Sequence, residues 1–271
     1  ILSAAALMAG SVACGDDDNG ENGNGTPNGG GTPDGGGNGN GGLSILPDSI
    51  DCDETQSPPV CTIEAGRYGD MTWGPDNRFL ITTDVGPDNV FIEDGATLTI
   101  LPGTTIFADG RIALVIEQGA RIEADGTAAE PIVFTSGTGS PARGDWGGLI
   151  INGFAPVNCG EGGLTCQGEG SSGAYGGDDP NDDSGVLRYV RVEYGGDQIN
   201  DDDQYNGIAF QGVGSGTTIE YVQAHLSQDD GIEFFGGTAN AKYLVVTGAG
   251  DDSIDWTFGF TGNIQYAVVQ Q

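Results

Sequence analysis

Two pairs of adjacent aspartates, Asp229-Asp230 and Asp251-Asp252, recur at an interval of 251 − 229 = 22 residues. If the chain makes one coil per interval, the four carboxylates stack about 4.8 Å apart. They then repel one another unless they are protonated, solvated or neutralised by a cation. Calcium prefers an all-oxygen ligand set of this kind. The alternative is that these aspartates only hydrogen-bond the backbone of turns.

Two further Asp-rich stretches offer oxygen ligands. The first alternates Asp179, Asn181 and Asp183, as at the start of a calcium loop, but it lacks the glycine and glutamate that complete an EF-hand. A looser calcium loop and a solvated acidic turn fit it equally well. The second stretch completes the predicted calcium ligands with Asp201, Asp202 and Asp203.

The stacked Asp230 and Asp252 also suit cleavage of a polysaccharide, because glycosidases place two carboxyl groups about 5 to 9 Å apart. A lyase would need a base, for which Arg191 is the leading candidate. The chain has only 8 Lys and Arg residues to hold an acidic sugar, so a non-catalytic role is favoured. His225 is the single histidine of the sequence, and we predict it on the outer surface, where no Ser or Cys partner is evident.

These residues belong to a short sequence motif, which we call the repeated phrase, that occurs three times. NGIAF at 206–210 recurs as DGIEF at 230–234 and as DSIDW at 252–256, at intervals of 230 − 206 = 24 and 252 − 230 = 22 residues. Fixed periods in the low twenties are typical of a solenoid, and alternating β-branched and aromatic residues make its repeats strands. The sequence therefore predicts an all-β fold, a right-handed parallel β-helix with coils of about 22–24 residues.

Equivalent positions of a β-helix stack in columns, which predicts where side chains point. Isoleucines form one inward column and aromatic residues a second one beside it, whereas the residues between them point outward. A second strand-like phrase in each coil carries a tyrosine. The inward column is Ile208, Ile232 and Ile254, and the aromatic column is Phe210, Phe234 and Trp256. The outward column is Ala209, Glu233 and Asp255. The tyrosine column is Tyr189, Tyr221, Tyr243 and Tyr266.

Changes in composition divide the chain into four regions. Residues 1–14 read as the remnant of a signal peptide, and residues 15–44, rich in Gly, Asn, Asp and Pro, as a disordered tether. We predict an N-terminal cap over 45–88 and the β-helix over 89–271, with loop insertions at 154–185 and 195–205. Because the chain stops within a predicted strand, we expect it to be C-terminally truncated.

The apolar start of the chain ends in Ser11-Val12-Ala13-Cys14, which resembles the lipobox of bacterial lipoproteins. The resemblance implies that Cys14 carries a lipid that anchors the protein in a membrane, and the acidic run that follows resembles a surface-export signal. We therefore expect a surface-exposed lipoprotein of the bacterial outer membrane. The alternative is an apolar start that is not cleaved.

Charge and cysteine content restrict the partners. A net charge of −32 with 8 Lys and Arg residues excludes nucleic acid, whose phosphates such a chain repels. In an exported, loop-rich protein an even number of remaining cysteines favours disulfides. We predict that Cys52 pairs with Cys61 and Cys159 with Cys166; a metal site is the alternative, although the Cys-x₂-Cys spacing is absent.

Three phrases, at 143–153, 229–237 and 251–257, resemble a family of bacterial right-handed β-helix surface lipoproteins of the pectin-lyase-like superfamily, which includes leptospiral outer-membrane lipoproteins. The resemblance covers roughly residues 90–271 and implies the fold and the envelope location, without any catalytic residue. Two hypotheses remain. The first is an anchored binding, adhesive or structural module for a glycan or another surface protein; the second is a carbohydrate-active enzyme. A flat outer face with columns of Thr, Gln and Val would favour the first.

Overall fold

The computed structural model describes residues 44–83, 89–159, 163–200 and 203–271. The predicted lipidation site Cys14, the tether, and the predicted ligands Asp201 and Asp202 lie outside the described residues. Within those ranges, no helix has the length and apolar character that crossing a bilayer requires.

Successive coils stack in parallel, and in the described part of the chain they form three ladders of strands. We call them ladders I, II and III, in the order in which a coil passes through them. Three long strands bend and contribute to two ladders each: β8 (Thr105–Ile116) to ladders II and III, and β14 (Gly185–Glu193) and β18 (Thr218–His225) to ladders I and II.

The remaining strands of ladder I are β4 (Met71–Trp73), β7 (Thr97–Ile100), β9 (Arg121–Asp125), β20 (Asn240–Lys242) and β23 (Asn263–Gln265). Those of ladder II are β2 (Val60–Glu64), β5 (Arg78–Thr82), β10 (Ile132–Ser136), β21 (Val245–Thr247) and β24 (Val268–Gln270). Those of ladder III are β3 (Gly66–Tyr68), β6 (Val90–Ile92), β11 (Trp146–Asn152), β17 (Ile208–Gln211), β19 (Ile232–Phe235) and β22 (Ile254–Thr257).

The predicted parallel β-helix is confirmed, and so is the register of the repeated phrase. Ile208 pairs with Ile232 and Ile232 with Ile254, and the first two are fully buried in the coil interior. The rings of Phe210 and Phe234 stack at 5.0 Å. Like side chains thus fill the core one coil above another, as close packing requires.

The aromatic column differs from the prediction in its last coil. Trp256 pairs in register with Phe234, yet its side chain is 61% exposed. Phe260 stacks on Phe234 instead, at 4.7 Å. The chain therefore continues the buried aromatic stack with a residue from the turn after β22.

The coils begin earlier than the predicted boundary at residue 89. β2 pairs in parallel with β5, and Cys61 and Ile63 of β2 are buried in the core, because the alternating pattern of Val60–Glu64 already presents one apolar face. Only residues before Val60 act as a cap. Among them β1 (Cys52–Asp53) runs antiparallel to β2, and the predicted disulfide between Cys52 and Cys61 joins these two strands.

The tyrosine column marks a sharp corner between ladders I and II. Tyr189, Tyr221, Tyr243 and Tyr266 all have positive φ, between 50° and 60°, so the predicted single strand is two short strands joined by one left-handed residue. Consecutive rings stack at 4.4, 4.5 and 5.1 Å. A left-handed residue with a side chain costs free energy, and the ring stacking offsets part of that cost.

The described parts of both insertions fold over the outer face of ladder III. The first contains the hairpin of β12 (Cys166–Gln167) and β13 (Ala174–Tyr175), a 3₁₀ helix (Glu169–Ser171) and the predicted Cys159–Cys166 disulfide. The second contains β15 (Gln198–Asn200) and β16 (Asp203–Gln204). Together with the outward side chains of ladder III, Tyr175 and Tyr205 form a second apolar cluster outside the coil.

The insertions over ladder III bury part of the outward column. Ala209 and Glu233 leave the coil interior as predicted, yet they are buried, with 2% and 7% of their surface exposed. Asp255 in the next coil is partly exposed. The sequence predicted the direction of these side chains but not the loops above them.

Candidate functional site

Carboxylates gather where the chain enters β17, β19 and β22 of ladder III. The carboxylate oxygens of Asp229, Asp230 and Asp251 lie within 4.8 Å of one another, and so do those of Asp230, Glu233 and Asp255. We call these sets the outer triad and the inner triad; they share Asp230. The coil register creates both, because Glu233 pairs with Asp255 one coil further on.

Asp230 also has the turn role that the sequence left open. Its Oδ1 accepts a 2.9 Å hydrogen bond from the backbone N–H of Asp252. Its backbone carbonyl accepts from Gly207 at 2.9 Å, which fixes the chain as it enters the strands. The turn interpretation therefore explains one carboxylate oxygen of Asp230. It does not explain why Glu233 and Asp255 face the same aspartate.

The first insertion brings a further carboxylate, Glu169, to the inner triad. The side-chain nitrogen Nδ2 of Asn206 donates to Glu233 Oε2 at 2.7 Å and to Glu169 Oε2 at 3.4 Å. Asn206 is only 1% exposed, and its Oδ1 has no donor among the described residues. The amide thus lies between two carboxyl groups and leaves a buried oxygen without a hydrogen bond.

The position of Glu169 depends on its neighbour Gly170. Gly170 has φ of +58°, and a Cβ at this position would overlap the ring of Tyr205. The Tyr205 hydroxyl donates to the Gly170 carbonyl and to Asn89 Oδ1, each at 3.0 Å. The Gly170 N–H in turn donates to Asp203 at 3.1 Å. These contacts join the two insertions and place Glu169 above the coil.

Burial strongly raises the pKa values of the acidic side chains in this site. It raises the pKa of Glu233 to about 9, with Glu169, Asp230 and Asp255 adding repulsion. Burial and nearby aspartates raise the pKa of Glu169 to about 8. Burial also raises the pKa of Asp230 to about 7, although the hydrogen bond from Asp252 opposes the shift. At neutral pH these groups either hold protons or require a positive charge nearby.

Basic side chains do not supply that charge within the described residues, which include all 8 Lys and Arg of the sequence. Six of them form ion pairs with other carboxylates: Arg67, Arg111, Arg121, Arg188, Arg191 and Lys242. Arg78 lies over the ring of Phe107, and Arg143 donates to the carbonyl of Gly248. The acidic cluster therefore has no basic partner in this part of the chain.

The predicted calcium ligand Asp252 belongs to neither triad, whereas Asp203 and the first Asp-rich stretch are engaged elsewhere. Asp203 accepts from the Gly170 N–H, and the first Asp-rich stretch serves its own turn, since Asp179 Oδ1 accepts from the Asn181 N–H at 2.9 Å. Asp183 pairs with Arg121 at 2.9 Å. In this stretch the solvated-turn interpretation accounts for these carboxylates.

The three candidate catalytic residues are not brought together. Arg191 lies on ladder II and pairs with Glu193 at 3.0 Å, whereas Asp230 and Asp252 lie at the entrance to ladder III. Asp230 is 8% exposed. Asp230 and Asp252 therefore lack the predicted base, and Asp230 is closed off from a chain-like substrate.

Ladder II presents a different surface, a shallow groove with a volume of about 450 Å³. Two columns of side chains contribute to it: Arg191 and Gln223 from one, and Glu193, His225, Thr247 and Gln270 from the other. Val245 and Val268 continue the first column beside the groove. His225 Nδ1 and Thr247 Oγ1 are 2.6 Å apart. We call this surface the ladder II groove. It places His225 on the outer face, as predicted, between Glu193 and Thr247 of its column.

Sequence reasoning missed Glu169 and Asn206. The interval between repeats pointed to Asp229, Asp230 and Asp251, which the structure does bring together. It could identify Asn206 only as the first residue of a repeated phrase. Glu169 lies in an insertion without periodicity, so no pattern in the sequence indicated its position.

Comparison with known proteins supports the fold. The family model described as a pectate-lyase-like β-helix domain matches the sequence over residues 69–271, which is about three-quarters of the chain. It supports the pectin-lyase-like superfamily, whereas the resemblance to leptospiral lipoproteins is not confirmed. Searches of curated proteins and of solved structures found no match. The chain belongs to the family of pectate-lyase-like β-helix domains.

Proposed function

We propose that this chain is a non-catalytic binding module of the bacterial cell surface, held there by a lipid on Cys14, and that the ladder II groove binds a neutral glycan. One observation carries the proposal. Beyond the paired Arg191 and Glu193, the outer face of ladder II carries columns of Gln, Val, Thr and His in strict register, which is the surface expected of a binder rather than of a hydrolase.

The chemistry of the groove matches a hydroxyl-rich ligand. Amide, hydroxyl and imidazole groups each donate or accept hydrogen bonds, as sugar hydroxyls do. Val245 and Val268 continue the Gln223 column beside the groove and add apolar surface, which suits the C–H faces of a sugar ring. Strands repeat along the ladder at about 4.8 Å, so an extended chain meets the same group types in successive coils.

Charge selects a neutral rather than an acidic glycan. Arg191, the basic residue of the groove, is already paired with Glu193 at 3.0 Å. The sequence carries a net charge of −32, which repels anionic polymers. An acidic sugar therefore gains no free cation in the groove and meets a repulsive field.

A catalytic role is disfavoured by where the acids lie. A general acid must come within hydrogen-bond reach of the bond that it cleaves, and Asp230 and Glu233 are buried beneath the insertions. Support for the anchor comes from the sequence alone: the lipobox-like motif at Cys14 and the Gly- and Asn-rich segment that follows it. Such a segment would hold the β-helix away from the membrane.

The test is incubation of the purified protein with a panel of neutral and acidic polysaccharides. We expect retention of a neutral glycan in affinity electrophoresis, with no new reducing ends or unsaturated products. Cleavage of any member of the panel would overturn the proposal in favour of a carbohydrate-active enzyme. Retention of acidic chains alone would contradict the charge argument.

A further inference from the structure

The inner triad and Glu169 supply carboxylate oxygens from two sides, the coils and the first insertion. Asp230, Glu233 and Asp255 come from the coils, with carboxylate oxygens within 4.8 Å of one another. Glu169 comes from the insertion above them and reaches the same Asn206 amide as Glu233. Four carboxylates on two sides of one buried amide are a costly arrangement without a counter-ion.

The Asn206 amide gives independent evidence for a ligand. Its Oδ1 is buried and has no donor among the described residues, whereas its Nδ2 contacts Glu233 and Glu169. Exchanging the oxygen and nitrogen of the amide would place the oxygen against both carboxyl groups. That orientation is tolerable only with a positive charge between them. In the observed orientation the amide nitrogen faces the carboxyl groups, and the exchanged orientation turns the otherwise unpartnered oxygen toward a cation between them.

We propose that a divalent cation of the calcium class binds at the inner triad, held by Glu169, Asp230, Glu233, Asp255 and the side-chain oxygen of Asn206. All these ligands are oxygens, which suit calcium or magnesium rather than zinc or copper. Calcium fits better than magnesium because it accepts six to eight ligands in irregular geometry, whereas magnesium requires a near-ideal octahedron. Water completes the coordination shell.

The outer triad is the weaker candidate. The Gln204 amide, oriented with its nitrogen toward Asp229, donates to both carboxylate oxygens of that residue at 2.8 and 3.1 Å. Asp251 is exposed, so water can solvate it. The carboxylates of the inner triad are more buried, and Glu233 receives only the Asn206 amide and a long 3.4 Å contact from Thr257.

The ion also has a structural consequence. Glu169 belongs to the first insertion, whereas Asp230, Glu233 and Asp255 belong to successive coils. The cation therefore ties the insertion to the coils. This insertion covers apolar side chains on the outer face of ladder III, among them Val115, Ile150 and Phe235. Removal of the ion removes this tie, and the insertion is the part of the fold that loosens first.

The experiment measures calcium binding by the whole chain, using calorimetry and thermal melting in calcium and in chelator. Glu169→Gln with Glu233→Gln removes two charges and keeps the shape. We expect this double variant to bind calcium at least tenfold more weakly than wild type. Calcium should raise its melting temperature less than it raises that of wild type. The matched control Glu54→Gln changes an exposed glutamate and should behave like wild type.

Two outcomes would overturn the site. One is a wild-type melting curve that is identical in calcium and chelator. The other is full calcium affinity in the double variant together with its loss in Asp251→Asn, which would place the ion in the outer triad. If the double variant does not fold, terbium luminescence of the wild-type protein decides. We expect sensitised emission that calcium displaces, and its absence would refute the proposal.

Discussion

Asn206 Nδ2 donates a 2.7 Å hydrogen bond to Glu233 Oε2, and both side chains are buried beneath the insertions that cover ladder III. The bond joins two neighbouring coils at the point where Glu169 descends from the insertion. It is the only hydrogen bond under 3 Å that Glu233 receives among the described side chains. Through Asn206, Glu233 of the coil is thus linked to Glu169 of the insertion.

Stability in chelator should fall as the pH rises. The folded-state pKa of Glu233, about 9, and of Glu169, about 8, lie above the ordinary value of 4.5. A raised acid contributes stability that is fully present below pH 4.5 and is lost as the pH approaches the folded-state pKa. Each such group lowers the free energy of unfolding by about 1.4 kcal/mol per pH unit across that window.

This effect is measured by thermal melting in chelator from pH 5 to pH 9. This range covers most of the interval between the ordinary pKa of a glutamate and the folded-state pKa of Glu233. Glu233→Gln should flatten the pH dependence, because glutamine does not titrate, and Glu54→Gln should leave it unchanged. A wild-type stability that does not fall across the same range would show that Glu233 and Glu169 are already ionised in the folded protein.

The tyrosine corner makes a second prediction. Tyr221 has φ of +55° and stacks on Tyr189 at 4.4 Å and on Tyr243 at 4.5 Å. Tyr221→Ala removes both stacks and keeps a side chain in the left-handed region, so we expect a loss of about 1–3 kcal/mol. Tyr221→Gly loses the same stacks but relieves the backbone cost of roughly 1 kcal/mol.

Chemical denaturation of the two variants separates these contributions. The glycine variant should be more stable than the alanine variant, the reverse of the order in an ordinary strand, where glycine is the less favourable residue. If alanine is the more stable of the two, the left-handed corner does not carry the assigned cost.

The lipid anchor stays a prediction from the sequence. Cys14→Ser, expressed in a bacterial host with lipoprotein processing, should move the protein from the membrane fraction to the soluble fraction, because the variant has no thiol to acylate. Cys159→Ser with Cys166→Ser is the control; these cysteines are joined in a disulfide, and their removal should leave membrane association intact. Undiminished membrane association of Cys14→Ser would refute lipidation at this residue.

The repeats predicted the coil because stacked coils require like residues at like positions. The pairing of Ile208 with Ile232 and the proximity of Asp229, Asp230 and Asp251 follow directly from the intervals. The tyrosine corner did not follow from the sequence, because a tyrosine within a strand-like phrase such as IEYV at 219–222 is the ordinary pattern of a continuous strand. Only the backbone angles show that the chain turns there.

The packing of the two insertions on ladder III could not be predicted either, and the reason is different. The Tyr205 hydroxyl reaches Asn89, 116 residues earlier in the chain, and neither residue belongs to a repeat that would predict the contact. Glu169 is placed by the same set of bonds through Gly170. A contact between an insertion and a distant coil has no periodic signal, so no pattern in the sequence indicated Glu169, one of the five proposed ligands.

The central claim is that the ladder II groove binds a neutral glycan without cleaving it. The most direct measurement is calorimetric titration of the best-retained neutral glycan into wild type, into Gln223→Ala with His225→Ala, and into Gln265→Ala on ladder I. We predict at least a tenfold loss of affinity in the groove variant, unchanged affinity in the ladder I variant, and an intact glycan in every sample. Equal affinity in all three proteins, or new reducing ends with wild type, would contradict the claim.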